Sequence, residues 1–197
     1  MSPRSQSQNE QLRELSRAKI LETALELFAQ QGFEATSVRQ IAQTAGVAQG
    51  LLYNYFASKE ELLATIVQQS MDDVRSTFAA AEQGADPGEQ IEQLIRAAFA
   101  TVRRNQMFWK LQYSVRMQHT TVASLGEALR ESMGEILATI ESYFRAAGLA
   151  QPEIEAMMLF GLIDGISQHY VLAPDTYPLD AVCEALVARY RAMIAAT

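Results

Sequence analysis

The sequence predicts an all-α fold of about nine helices. Three observations carry this: apolar residues recur at three- and four-residue steps, Ser, Asp and Pro stand where those runs begin, and Gly stands where several end. At 197 residues and 49% hydrophobic content the chain can bury a sizeable core, and a small N-terminal module followed by a larger helical body fits best. The expected division is a disordered tail over 1–15, a three-helix module over 16–60 and a helical body over 61–197.

Residues 1–15 are polar and lack periodicity, which predicts disorder. A solvated tail is the simplest reading; the alternative is that Arg4 or Arg13 reaches a phosphate or the minor groove of a nucleic acid. From Arg17 to Gln31, residues Ile20, Leu21, Ala24, Leu25, Leu27 and Phe28 form the apolar side of an amphipathic helix, which ends at Gly32 with Phe33 folding back on it. Ser37 and Gln40 have the spacing of a capping box and open a short helix with Ile41, Ala42 and Ala45 on its inner side. Gly46 turns the chain in the left-handed conformation. Val47 plugs the angle, and a second short helix starts near Gln49 with Leu52 and Phe56 inward.

Helix, tight turn and helix at this spacing make a helix-turn-helix, whose second helix lies in the major groove of DNA. Its outer side offers Gln49, Gly50, Leu51, Tyr53, Asn54 and Tyr55: side-chain donors, aromatic rings and a glycine that lets a phosphate approach the backbone. Gln49 is the expected base reader, because a glutamine amide bonds adenine bidentately. Leu51 is suited to a thymine methyl, and Tyr53, Tyr55 and Lys59 to phosphates. Ser37 and Arg39 complete the DNA-facing set.

Ser58-Lys59-Glu60-Glu61 is a second capping box and opens a long helix carrying Leu62, Leu63, Ile66, Val67, Met71, Val74 and Phe78. After a break between Gly84 and Gly88, Asp86 as N-cap and Pro87 in the first turn start a helix to about Arg104, with Ile91, Leu94, Ile95, Ala98, Phe99 and Val102 on one face. The segment MFWKLQYSVRMQH concentrates Met107, Phe108, Trp109, Leu111, Tyr113, Val115 and Met117. Large adaptable side chains of this kind build a core or wall an apolar ligand cavity, and neither reading excludes the other. In the second, Trp109, Tyr113 and His119 supply orienting polar groups, and the candidate lining is Phe99, Val102, Met107, Phe108, Trp109, Tyr113, Met117, His119, Phe144, Phe160 and Asp164.

The next helix runs to Ala147 with Leu125, Leu129, Met133, Ile136, Leu137, Ile140 and Phe144 inward, and Gly148 closes it. Pro152 opens the eighth helix and Pro178 the ninth. The eighth is apolar nearly all round, which predicts burial on several sides. Its Gly161 and Gly165 each cost about 1 kcal/mol in helix propensity relative to alanine, a cost that close approach of another helix would offset. The ninth presents Leu179, Val182, Cys183, Leu186, Tyr190, Met193 and Ile194 on one stripe. Asp164 and His169 are the ionisable residues of the inner part of the eighth helix, and each suits either a ligand or a helix–helix interface.

Composition narrows the function classes. A single cysteine, Cys183, excludes an intrachain disulfide or a cysteine metal cluster and suits a reducing cytoplasm. No apolar run approaches the roughly twenty residues that span a bilayer, and the polar N-terminus carries no targeting signal, so a cytoplasmic protein without a membrane is expected. With no nucleophile elbow, Walker loop, zincin motif or paired metal ligands, and only two histidines, neither an enzyme nor a metal or cofactor is expected. The net charge of −7 taken whole opposes a phosphate partner, but it is uneven: residues 1–60 hold six basic and six acidic residues, the remainder ten and seventeen. A neutral end on an acidic body leaves that end to approach DNA.

Gly32-Phe33, Thr36-Ser37, Ile41-Ala42, Ala45-Gly46-Val47, Gly50-Leu51-Leu52-Tyr53, Tyr55-Phe56 and Ser58-Lys59-Glu60-Glu61-Leu62 together resemble the DNA-binding domain of the TetR family of bacterial repressors. The likeness covers about the first third of the chain. Ala48 departs from it where a capping serine is frequent, and Leu51 where a threonine is. The resemblance implies a homodimer in which the last two helices of each subunit pair with their copies, with Met157, Gly161, Gly165, His169, Val182, Leu186 and Tyr190 at the interface. It implies binding to a near-palindromic double-stranded operator, and release when a small, largely apolar ligand enters the body. Two alternatives stay open: a DNA-binding regulator controlled by a protein partner or by nothing, and a small-molecule-binding protein with a merely architectural helix-turn-helix.

Overall fold

The computed structural model describes residues 6–81, 86–116 and 123–197. Among the described residues the regular structure is helical throughout: α1 (Gln6–Gln31), α2 (Val38–Ala45), α3 (Gln49–Tyr53), α4 (Lys59–Ala81), α5 (Pro87–Arg104), α6 (Gln106–Arg116), α7 (Ala123–Ala146), α8 (Pro152–Leu172) and α9 (Leu179–Ala195). Met117 and His119 lie outside the described residues, as do the side chains of Phe78, Val115, Leu125 and Leu129. The chain divides into two compact units, one of Met1–Gln69 with Leu111–Val122, the other of Ser70–Lys110 with Ala123–Thr197. The division falls inside α4, beyond the expected one at residue 60.

The first unit is built from local signals. α1 begins at Gln6, well ahead of the expected Arg17. Gln, Glu, Leu and Arg in its first half are good helix formers and need no buried face; Leu15 remains 67% exposed there. The later half buries Ile20, Ala24 and Phe28 completely, together with Ile41 and Ala45 of α2, Leu52 of α3 and Phe56. At the end of α1, Phe33 returns against Phe28 with ring centroids 5.2 Å apart. The buried Thr36 donates its hydroxyl to the Gly32 carbonyl at 2.8 Å.

Ser37 caps α2 by accepting from the Gln40 N–H at 3.2 Å. The reciprocal half of the expected box is absent, because the Gln40 amide instead donates to the Gln31 side chain at 2.8 Å and ties α2 to the end of α1. Gly46 takes φ 68°, with Val47 N–H on the Ala42 carbonyl (2.9 Å) and Gly46 N–H on that of Gln43 (3.2 Å). That paired pattern satisfies the last carbonyls of α2 and sets the turn. α4 opens with Glu61 N–H on the Ser58 hydroxyl at 3.1 Å, and the Glu61 carboxylate returns to Ala57 N–H at 2.5 Å.

The second unit is a packed helical body. α5 lies against α9 and α7 against α8, and α5 also meets α7 and α8. Asp86 caps α5 by accepting from Glu89 N–H at 2.9 Å, with Pro87 in the first turn. Its buried stripe, Ile91, Leu94, Ile95, Phe99 and Val102, joins Ile140, Tyr143 and Phe144 of α7, Leu159 and Tyr170 of α8, and Leu179, Cys183, Leu186, Val187 and Tyr190 of α9 in one core. Phe144 stacks on Tyr190 at 5.6 Å. Burial pushes the Tyr190 phenol up to about 12. Outside this core, Glu92 accepts from Arg96 of its own helix at 2.8 Å and from Arg191 of α9 at 3.0 Å, while Arg96 also reaches Glu184.

α8 departs from expectation. Its apolar sequence is not buried on several sides: Ile154, Met157, Met158, Leu162 and Leu172 are all exposed, Leu172 at 75%. Nor does α9 approach its glycines, since an added Cβ at Gly161 or Gly165 would meet nothing within 4 Å.

Candidate nucleic-acid interface

α3 is a five-residue helix held from beneath by one anchor. Leu52 is completely buried, which fixes which side of the helix faces out. Ala48 precedes it with extended backbone and makes no side-chain cap, so the first turn closes only through Leu51 and Leu52 N–H on the Ala48 carbonyl, at 2.9 and 3.2 Å. Gln49, Gly50, Leu51, Tyr53 and Asn54 are exposed, with Tyr53 at 49%, and Tyr55 is half-buried beside Phe56. The structure therefore brings the expected base-reading and phosphate-contacting residues of α3 onto one accessible surface. Arg39 of α2 is exposed as well, and Ser37, though also exposed, uses its hydroxyl to cap α2.

Lys59 is placed differently from the expected phosphate contact. Its ammonium donates to the Phe33 carbonyl at 2.8 Å and sits 4.2 Å from the centroid of the Phe33 ring. It thus bolts the start of α4 to the turn after α1, and its charge is partly spent inside the unit. Next to it, the Glu60 carboxyl is held below its ordinary range by its own backbone N–H and the Ser58 hydroxyl.

Two cations of α1 stand beside the residues that follow α3: Arg13, which the sequence offered as an alternative DNA contact, and Arg17, which it did not assign. The Arg13 guanidinium lies over the Tyr55 ring at 5.7 Å and that of Arg17 over the Phe56 ring at 5.3 Å. Both belong to the part of α1 where the tail and the first helix were expected to meet. Their four-residue spacing was visible in the sequence, but without the earlier helix start it had no meaning.

In the body, the expected ligand-lining residues separate. Phe99, Val102 and Phe144 are buried in the core, with Phe144 fully buried, so they hold the helices together. Phe108 is buried edge-on to Trp109 at 5.5 Å, and Trp109 and Phe160 are partly buried against the core. Tyr113 and Asp164 are half-buried and Met107 is exposed. A polar tie that sequence reasoning missed joins α6 to α8, where Gln106 Nε2 donates to the Tyr170 hydroxyl at 2.8 Å.

The expected dimer residues separate too. Met157 (60% exposed), Gly161 and His169 are exposed and Gly165 and Val182 half-buried, with His169 stacked on Tyr177 at 6.3 Å. Leu186 and Tyr190 are instead buried in the core of their own unit, where the apolar stripe of α9 meets α5 and α7, and neither is available to a second subunit.

Residues 20–66 match the family profile described as bacterial regulatory proteins of the tetR family, and residues 87–196 match that of the BetI-type transcriptional repressor, C-terminal. Over 90 residues the chain is 34% identical to the transcriptional repressor KstR2 of Mycobacterium tuberculosis, a match covering 45% of each. It is 36% identical over 84 residues to the regulator BetI of Rhizobium meliloti, covering 42% of this chain and 41% of that one. The matches to these two relatives thus span less than half of their length. A longer match, 26% identical over 168 residues, is to the regulator PksA of Bacillus subtilis and covers 82% and 81% of the two chains. In fold the chain is similar to a TetR-like transcriptional regulator from Rhodococcus sp. RHA1 (TM-score 0.80, 22% identity, all of both chains). It is likewise similar to FadR of Bacillus subtilis, solved in complex with stearoyl-CoA (TM-score 0.73, 21% identity, 88% of this chain and 97% of that one).

Proposed function

Because the chain belongs to the TetR family of bacterial regulatory proteins, we propose that it is a homodimeric transcriptional repressor that leaves its operator when a small, largely apolar ligand enters each body. The observation that carries the DNA half of this reading is the outer side of α3, where Gln49, Gly50, Leu51, Tyr53 and Asn54 are all exposed on a helix fixed by buried Leu52. The observation that favours a twofold dimer is the exposed side of α8, whose Met157, Met158 and Leu162 flank the open Gly161. An apolar patch of this kind marks an interaction surface, and a second α8 lying across Gly161 and Gly165 would offset their helix-propensity cost. Twofold symmetry then gives two α3 helices reading two half-sites about 34–36 Å apart.

Release requires that the ligand bind one state of the dimer more tightly than the other. The start of α4 is bonded to the Phe33 turn of the first unit, and in this reading the ligand acts by moving α4. The stearoyl-CoA held by the Bacillus subtilis FadR structure makes long-chain acyl thioesters a sensible first ligand class. A second reading is favoured by the burial of Phe99, Val102 and Phe144: a filled body that serves only to dimerise, with control by a protein partner or by none.

A gel-shift titration against the DNA upstream of its own gene, with and without acyl-CoA and a pool of apolar metabolites, tests both. Specific binding lost with the ligand supports the induced repressor, and specific binding untouched by it supports the filled body. Gln49→Ala is expected to relax the preference at one base pair by about 1–3 kcal/mol, as for removal of a bidentate base hydrogen bond. Weakening spread evenly over operator and random DNA would remove Gln49 from base reading. Met157→Glu with Leu162→Glu is expected to yield monomers in sedimentation and abolish operator binding; a variant that still sediments as the wild type would place the subunit interface elsewhere.

A further inference from the structure

The first half of α1 and the end of α3 enclose an open groove of about 350 Å³, lined by Glu10, Arg13, Glu14, Arg17, Asn54 and Tyr55. We propose that this groove is a second DNA-contacting site, in which Arg13 and Arg17 grip a backbone phosphate while Glu10 and Glu14 hold that grip in check. The proposal rests on the DNA-binding reading of α3 and adds an element outside the helix-turn-helix.

The geometry is that of a prepared anion site. Arg13 and Arg17 are four residues apart and so project from one side of α1. Each guanidinium is laid over an aromatic ring, Arg13 over Tyr55 and Arg17 over Phe56. The ring beneath each one adds a cation–π attraction, and a guanidinium is the side chain suited to bond a phosphate bidentately. The ring contact also restricts the side chain before any ligand arrives, which lowers the entropy lost on binding. Arg13 is exposed and Arg17 half-buried, Phe56 beneath Arg17 is a fixed core residue, and exposed Asn54 adds an amide at the rim.

The two carboxylates give the site its second property. Glu10 and Glu14 precede Arg13 and Arg17 by three residues each, neighbours on a helix surface. Two acids against two bases leave the groove with no net charge. A phosphate must therefore compete with Glu10 and Glu14, and the site contributes only once α3 has brought the DNA strand close. The occupant is a nucleic-acid backbone rather than a free nucleotide, because the groove adjoins the residue that follows α3 and shares Tyr55 with its base.

The test uses the full-length chain, its operator and random duplex DNA over a range of salt. Arg13→Gln with Arg17→Gln is expected to weaken operator and random DNA by the same factor and to reduce the salt slope by about 1, for the one phosphate charge that the pair no longer neutralises. Glu10→Gln with Glu14→Gln is expected to tighten both. Because Arg17 rests on a core ring, its variant is first checked by thermal melting; if it unfolds, the glutamate pair, exposed and away from the core, decides alone. Unchanged affinity and slope in the arginine pair, or unchanged affinity in the glutamate pair, overturns the site. Weakening confined to the operator would overturn the phosphate role. A wild-type chain that shows no preference for its operator removes the DNA-binding reading itself, and this inference with it.

Discussion

The corner between α2 and α3 and the outer side of α8 are both apolar and glycine-bearing, yet they are determined in opposite ways. At the corner the capping groups find partners within a few residues: Ser37 with Gln40, Gly46 with Gln43, Val47 with Ala42. On α8, Met157 and Leu162 are exposed and the space over Gly161 is open within the described chain. The first region is complete in one copy of the protein. The second makes energetic sense only when something else covers it.

Three substitutions sharpen or break this comparison. The largest effect is expected from Phe144→Ala in the body, where deleting a fully buried ring stacked on Tyr190 costs about 3–5 kcal/mol. Chemical denaturation should show the second unit melting earlier, and a cost below about 1 kcal/mol would mean that the core is looser than its burial implies. Next is Gly46→Ala at the corner. A Cβ at φ 68° costs about 1–2 kcal/mol because the left-handed region crowds it against the carbonyl, although only Lys19 Nζ comes within 4 Å of it. Operator affinity should fall together with stability, and unchanged melting would show that the corner is not locally determined. The smallest is Gly161→Ala, about 1 kcal/mol, and its sign is the point. A lone subunit gains helix propensity, whereas a subunit paired across that glycine is pushed from its neighbour. Melting at low and high protein concentration separates the two, and stabilisation at both would take the subunit interface away from Gly161.

The same contrast decides what could be read from the residues alone. Ser37, Gly46, Asp86 and the Ser58 cap were legible because each acts within four residues of its own position. The start of α1 was not: its first half forms from intrinsic propensity with no buried stripe, so apolar periodicity had nothing to register. Lys59 was expected as a phosphate contact, but its partner in the fold, the Phe33 carbonyl, lies 26 residues away and only the folded unit brings them together. α9 shows the limit most clearly. The stripe through Leu186 and Tyr190 was visible, but a stripe states only that it will be covered, and here its own core covers it. For α8, all-round apolarity predicted burial on several sides without saying by what, and the described chain leaves a side open. Of the candidate DNA surface, the α3 residues were legible and Arg13 was offered only as an alternative, while Arg17 and the rings beneath both were not, since Tyr55 and Phe56 meet them only across the fold.

Cys183 gives the body a chemical clock. It is the single thiol of the sequence and is buried in the α5–α9 core, and that burial raises its pKa above the ordinary thiol value. Only the thiolate attacks a disulfide reagent, so the rate of mixed-disulfide formation with an aromatic disulfide counts how often α9 lifts from α5. No label, tag or substitution is needed to follow that opening in the unmodified protein, with DNA bound or released.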